Sequence, residues 1–186
     1  MVADLHRART LGILAVKLLS HGTPADFTAV FHPQADNNAG PYVPPECRTR
    51  GPVAVYATSR WLRATFTDLD WTVHRLVADE NQVVVHAAMR GTHTNDLVLY
   101  DANGSPKHTI PGSGARFTVA HTYWFRLADG LIIERTVDRG ELGSAPNDLP
   151  IRPAKSHARH LVPLTERLRQ AVRPATHPWP RFGNAL

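Results

Sequence analysis

With 186 residues, 42% of them apolar, the chain is long enough for one good hydrophobic core, so a single domain with appendages is expected. The one cysteine, Cys47, excludes an intrachain disulfide and a cysteine-built metal site, and a cytoplasmic location is the compartment expected. The net charge of +5 is uneven: residues 1 to 150 hold 14 Lys and Arg against 15 Asp and Glu, while residues 151 to 186 hold seven against one, which argues against a nucleic-acid face on the body.

In chain order, residues 4 to 20 place Leu5, Leu11, Leu14, Leu18 and Leu19 at helical spacing, with Gly22 just beyond, and predict an amphipathic first helix. Lys17 interrupts its most apolar run and no small-residue cleavage site follows, so neither a signal peptide nor a membrane span is expected. Thr23 as N-cap and Pro24 at the first helical position predict a short second helix over 24 to 30. Residues 31 to 50, rich in Pro, Asn and Gly, suit a short strand and a loop. Gly51-Pro52 opens a third helix whose stripe includes Val55, Trp61, Leu62 and Phe66, ending at Thr67-Asp68.

Strands follow at 71 to 78 and 83 to 94, then an interruption over 95 to 115. That connection is long enough to act as a rim or lid, and 96 to 101 can form an extra hairpin arm. Residues 116 to 138 read as two long strands joined at Ala128-Asp129-Gly130, because Asp-Gly between β-branched and aromatic runs is a strong hairpin signal. Alternation puts Phe117, Val119, His121, Tyr123 and Phe125 on one face, and on the second run it groups Ile132, Glu134, Thr136 and Asp138. Helices first and a mostly antiparallel sheet afterwards is the α+β pattern. The division falls near residue 150. Beyond it lies a basic C-terminal extension with one amphipathic helix carrying Leu161, Leu164, Leu168 and Val172, expected to dock on the body or on a second copy in a homodimer.

The segments Thr65-Phe66-Thr67-Asp68-Leu69, Gly91-Thr92-His93-Thr94 and Asp129-Gly130-Leu131-Ile132, in this order and spacing, resemble the SnoaL-like polyketide cyclases and ester cyclases of the NTF2-like superfamily. The resemblance covers roughly residues 5 to 145. It implies an α+β cone: a curved, mostly antiparallel sheet around an apolar pocket closed by the N-terminal helices. It also implies acid–base chemistry on a small apolar carbonyl compound, without metal or cofactor. An aspartate on the last strand serves the family as acid–base residue. Counting from Gly130, the family's Trp position falls at Thr136 and its acids at Val137 and Gly140, with Asp138 between.

The candidate catalytic pair is therefore Asp138 and His121. An imidazole exchanges protons near neutrality because its ordinary pKa is roughly 6.5. Arg90, His86 and Tyr123 are candidates to hold an enolate oxygen through charge-assisted bonds, and Trp61 and Phe117 to line the pocket. None of the 11 histidines forms a His-x-x-x-His or Glu-containing zinc motif in the body, so no metal site is expected. The leading expectation is a polyketide cyclase-like enzyme of secondary metabolism closing a ring by an intramolecular aldol reaction. Two alternatives stand beside it: an epoxide-hydrolase-like enzyme using Arg90 and Asp138 to activate water, and a non-catalytic small-molecule-binding or dimerisation module.

Overall fold

The computed structural model describes residues 2 to 139; the division near 150 and the tail helix lie outside them. Three helices, α1 (Val2–His21), α2 (Pro24–Val30) and α3 (Pro52–Thr65), accompany seven strands: β1 (Phe31–Asn38), β2 (Phe66–Ala78), β3 (Gln82–His93), β4 (Leu97–Tyr100), β5 (Pro106–Ile110), β6 (Arg116–Ala128) and β7 (Leu131–Asp138). The main sheet runs β1-β7-β6-β3-β2, with β6 at its centre. Every pair in it is antiparallel except β1 with β7. This is the expected α+β cone. Among the described residues no helix is long and apolar enough to cross a membrane.

Local chemistry explains the elements. Thr23 caps α2 in a reciprocal box with Asp26, satisfying donors that a helix start leaves open. The backbone and hydroxyl of Thr23 hold the Asp26 carboxyl below its ordinary pKa. Asp129 and Gly130, at φ 51° and 71°, make the primed turn that suits the twist of β6 and β7. On α1 the buried face is Ala8, Leu11, Ala15, Val16, Leu18 and Leu19, whereas Leu14 of the expected stripe is exposed. Small residues let this helix come close to the sheet: a Cβ on Gly12 would stand 2.5 Å from Val83 Cγ1.

The boundary after α3 differs from the sequence expectation. The helix stops at Thr65, and Phe66 already belongs to β2 and is buried in the core. Asp68 takes a positive φ of 53° inside a register shift between Thr67 and Asp70, so a bulge occupies the place read as the helix end. The interruption over 95 to 115 is the two-stranded β4–β5 arm. Two side chains of the body are among the groups that fasten it. The Trp61 indole donates to the Val98 carbonyl at 3.2 Å, and Arg48, in the 3₁₀ turn Pro45–Arg48, donates to the carbonyls of Pro41, Val43, Asp101 and Ala102.

Candidate active site

The inner row of β6 is Phe117, Val119, His121, Tyr123 and Phe125, as alternation predicts. His121 and Phe117 reach a cavity of about 140 Å³ closed by Trp61 and Leu62 of α3, Phe66, Met89, Val119, Leu97 and Leu99 of the arm, and Arg139 just past β7. A wider groove of about 770 Å³ runs outside along α3, but it is an open surface feature that does not reach His121. The candidate site is therefore the smaller cavity.

Behind His121 lies a buried hydrogen-bond chain. The Trp71 indole donates to Tyr123 Oη at 2.7 Å, and Tyr123 Oη lies 3.1 Å from His121 Nδ1. An indole can only donate, so the tyrosine oxygen accepts there and its own proton is directed at Nδ1. This network assigns the imidazole proton to Nε2. Burial, reinforced by Arg139 and Arg135, pulls the His121 pKa down to about 3, so the ring is neutral at ordinary pH. Burial also pushes the Tyr123 hydroxyl above its ordinary value.

The register of β7 decides which of its side chains enter the cone. Tyr123 pairs with Val137 and Phe125 with Arg135, but Arg126 pairs with Glu134 while Leu127 pairs with Ile132. Ile133 is thus an extra residue, a bulge, and strict alternation fails across it. Ile132 and Arg135 both point inward; Asp138 pairs with Thr122 and is exposed on the outer face. The expected convergence of Asp138 with His121 is corrected by this bulge. The inward position opposite Tyr123, where the family resemblance looks for an acid, is Val137.

Two further candidates also stand on the outer face. Arg90 is paired with Asp70 at 2.8 Å, and Lys17 meets the same carboxylate at 3.1 Å. Despite some burial, these two cations hold the Asp70 pKa low. His86 Nδ1 lies 3.2 Å from Thr122 Oγ1. Of the sequence candidates, His121, Trp61 and Phe117 line the cavity, Tyr123 supports His121 from behind, and Arg90, His86 and Asp138 do not enter.

Sequence reasoning passed over two arginines. Arg135 is buried, donates from Nη1 to Asn37 Oδ1 at 2.8 Å and lies 5.5 Å over the Tyr123 ring. Burial lowers its pKa to about 10. Arg139 donates to the Ala39 carbonyl at 2.6 Å, beside Gly40, where φ is 100° and a Cβ would come within 3.1 Å of the Arg139 Nη1. His93 is fully buried against Phe66, with ring centroids 5.3 Å apart, and neither ring nitrogen has a hydrogen-bond partner. Burial lowers its pKa, which favours the neutral imidazole in this core position. Cys47 is buried and its thiol is pushed up by burial, which suits packing and not nucleophilic attack. Among the described residues no cluster of His, Cys, Asp or Glu could hold a metal ion.

A curved sheet with helices over its concave face, and an imidazole and a guanidinium at one apolar cavity, define a small-molecule pocket on an NTF2-like cone. The chain belongs to the SnoaL-like domain family, which it matches over residues 15 to 135. Among solved structures it is similar to TsrD from Streptomyces laurentii, at 23% identity and a TM-score of 0.56, over 72% of this chain and 87% of that one. It is likewise similar to a candidate SnoaL-like polyketide cyclase from Jannaschia, at 18% identity and 0.56, over 73% and 86%. A candidate polyketide cyclase from Acidithiobacillus ferrooxidans gives 18% identity and 0.54, over 89% and 96%. At these identities the likeness concerns the fold. No curated protein matches the sequence.

Proposed function

We propose that the protein is a cofactor-free acid–base enzyme of secondary metabolism, cyclase-like, that stabilises the enolate of a small apolar carbonyl compound. One observation carries this reading: His121, held neutral with Tyr123 behind it, meets Arg139 at the same apolar cavity. A neutral imidazole with its proton on Nε2 polarises a carbonyl as a hydrogen-bond donor, and a guanidinium adds charge where the oxyanion develops. With a pKa near 3, His121 is a poor base; the proton of a carbon flanked by two carbonyls is acidic enough to leave to water. In this scheme the enolate carbon then adds to a second carbonyl of the same molecule, and the new alkoxide takes its proton from water. The site supplies orientation and charge.

A ring-closing substrate is larger than a 140 Å³ cavity, so the reading requires the β4–β5 arm, which contributes Leu97 and Leu99, to lift on binding. The water-activating alternative needs Arg90 and Asp138 in the pocket, and both lie on the opposite face. The binding-module alternative is favoured by the lack of a carboxylate among the cavity's lining residues.

The test is deuterium exchange of acetylacetone α-protons in D2O, followed by NMR. Exchange is expected to accelerate with the wild-type protein and not with His121→Phe. Equal rates with wild type, variant and no protein would leave the binding-module reading in its place.

The outer face supports a homodimer as a further part of the proposal. Val77, Val84 and Trp124 form one row across β2, β3 and β6, and Val77 and Trp124 are 71% and 49% exposed. Exposed apolar side chains in a contiguous row mark interaction surfaces. A homodimer through this face is expected to become monomeric on Trp124→Lys in light scattering; an unchanged mass would remove this face from consideration.

A further inference from the structure

The charges near the surface and those in the interior are handled differently. Outside, Lys17 and Arg90 share Asp70, Arg50 meets Asp36, and Arg126 meets Glu134. Inside, Arg135 and Arg139 flank the inward position of Val137 on β7, and neither pairs with a carboxylate among the described residues. Arg135 is only 2% exposed and its Nε has no hydrogen-bond partner. A buried guanidinium met, among the described residues, by neutral oxygens and a ring face is costly, and an anion nearby offsets that cost.

Arg139 is the member of this pair that lines the cavity. Its hydrogen bond to a described residue goes to the Ala39 carbonyl. A guanidinium has five N–H donors in a fork that matches two oxygens of one carboxylate. The register that pairs Thr122 with Asp138, continued by one residue, sets Arg139 beside His121, so a guanidinium fork and an imidazole Nε2–H converge. The remaining walls are apolar: Trp61, Phe66, Met89, Leu97 and Phe117. Their volume of about 140 Å³ suits one six-membered ring.

We infer that the cavity takes an organic monoanion, a carboxylate or a preformed enolate on a ring-sized apolar body, with its oxygens on Arg139 and His121. This rests on reading the cavity as the ligand site. It makes the bound species the anion itself, drawn from solution, so that the uncharged ketone or amide of the same shape is the weaker ligand. A carboxylate and an enolate share two features, a delocalised negative charge and a planar oxygen-bearing head, and the experiment separates them.

Isothermal titration calorimetry of the full chain with two matched pairs tests the inference: benzoate against benzamide, and 1,3-cyclohexanedione, anionic at neutral pH, against cyclohexanone. At least one anion is expected to bind about tenfold or more tighter than its neutral partner. Benzoate alone would identify a carboxylate site, and the dione alone an enolate site. Arg139→Gln should bring the ratio close to one, and Arg139→Lys should keep part of it, with circular dichroism verifying that both variants fold. Neutral partners binding as tightly as the anions would overturn the inference and leave the apolar cavity as a ligand site. So would a ratio untouched by Arg139→Gln, or no binding by any of the four probes. Deuterium exchange of acetylacetone reports on the catalytic reading independently of all these outcomes.

Discussion

Replacing His121 with phenylalanine is expected to lower turnover by about a hundredfold or more, the usual loss when a positioned oxyanion donor is removed. It should also flatten the dependence of stability on acid. His121 is held neutral down to about pH 3 in the folded protein, whereas the unfolded chain protonates it near its ordinary value of about 6.5. Between these two values unfolding takes up a proton. Stability is therefore complete above about pH 6.5 and falls as the pH drops toward 3, by up to about 1.4 kcal/mol per pH unit. Phenylalanine has no such proton. Buried His93, whose pKa is also lowered, acts in the same direction and remains in the variant, so the slope should shrink and not vanish. Urea unfolding between about pH 5 and pH 7 isolates these imidazoles from carboxylates that titrate lower. An identical slope in both proteins would show that His121 is not held neutral.

Val137→Asp, at a half-buried position on the inner face of β7, is expected to leave the protein folded and close to wild-type stability at neutral pH. An acid at a buried position ordinarily loses several kcal/mol unless a cation meets it. Here residues 135 and 139, two positions away on either side along the same inner face, are both arginines. A suitable control is Val85→Asp, because Val85 lies across Tyr123 on the other side, is fully buried and is packed in the apolar core. The control should unfold or lose several kcal/mol. The new carboxylate at 137 would favour the protonated form of His121 and would occupy the guanidinium of Arg139. Anion binding should fall, and proton exchange of a dicarbonyl should gain a general base. Because Val137 is half-buried and Val85 fully buried, the arginines are isolated by acid. Val137→Asp should lose stability, relative to wild type, as the pH falls and the new carboxylate protonates. A difference that does not change with pH would show that the two arginines create no cationic field at that position.

Much of this site is legible in the residues alone, and the parts that are not have separate physical reasons. Asp129-Gly130 and the aromatic alternation of β6 suffice to place His121, Tyr123 and Phe117 inward, because a long central strand keeps its period. On β3 the row Val83, Val85, Ala87 and Met89 is buried, so the parity of that strand already sends His86 and Arg90 outward. Their shared face and polar chemistry suit an oxyanion, but it is the opposite face of β3 that the core covers. On β7 a single extra residue, Ile133, breaks the period, and nothing in Leu-Ile-Ile-Glu-Arg announces it. Arg135, beside Glu134, therefore looks like an ordinary surface arginine, and Asp138 looks like an inward acid. The usable clue was Val137, an apolar residue at a position where the resemblance expects a carboxylate. The end of α3 is ambiguous in the sequence because Thr65-Phe66-Thr67 suits a strand as well as a helix, and the core contact of Phe66 decides the matter.

The way the β4–β5 arm is attached bears on how such a pocket could change its ligand over evolutionary time. Arg48 grips the tip of the arm and the loop before the 3₁₀ turn through backbone carbonyls, and Trp61 holds its middle through another. Carbonyls are present whatever the side chain. The attachment is therefore indifferent to most substitutions within the arm, including those at Leu97 and Leu99, which face the cavity. Lining and anchorage fall to different atoms of the arm: the Leu97 and Leu99 side chains face the cavity, while the carbonyls of Val98, Asp101 and Ala102 hold the arm in place. Diversity at those two positions can accumulate without loosening the cover over the cavity.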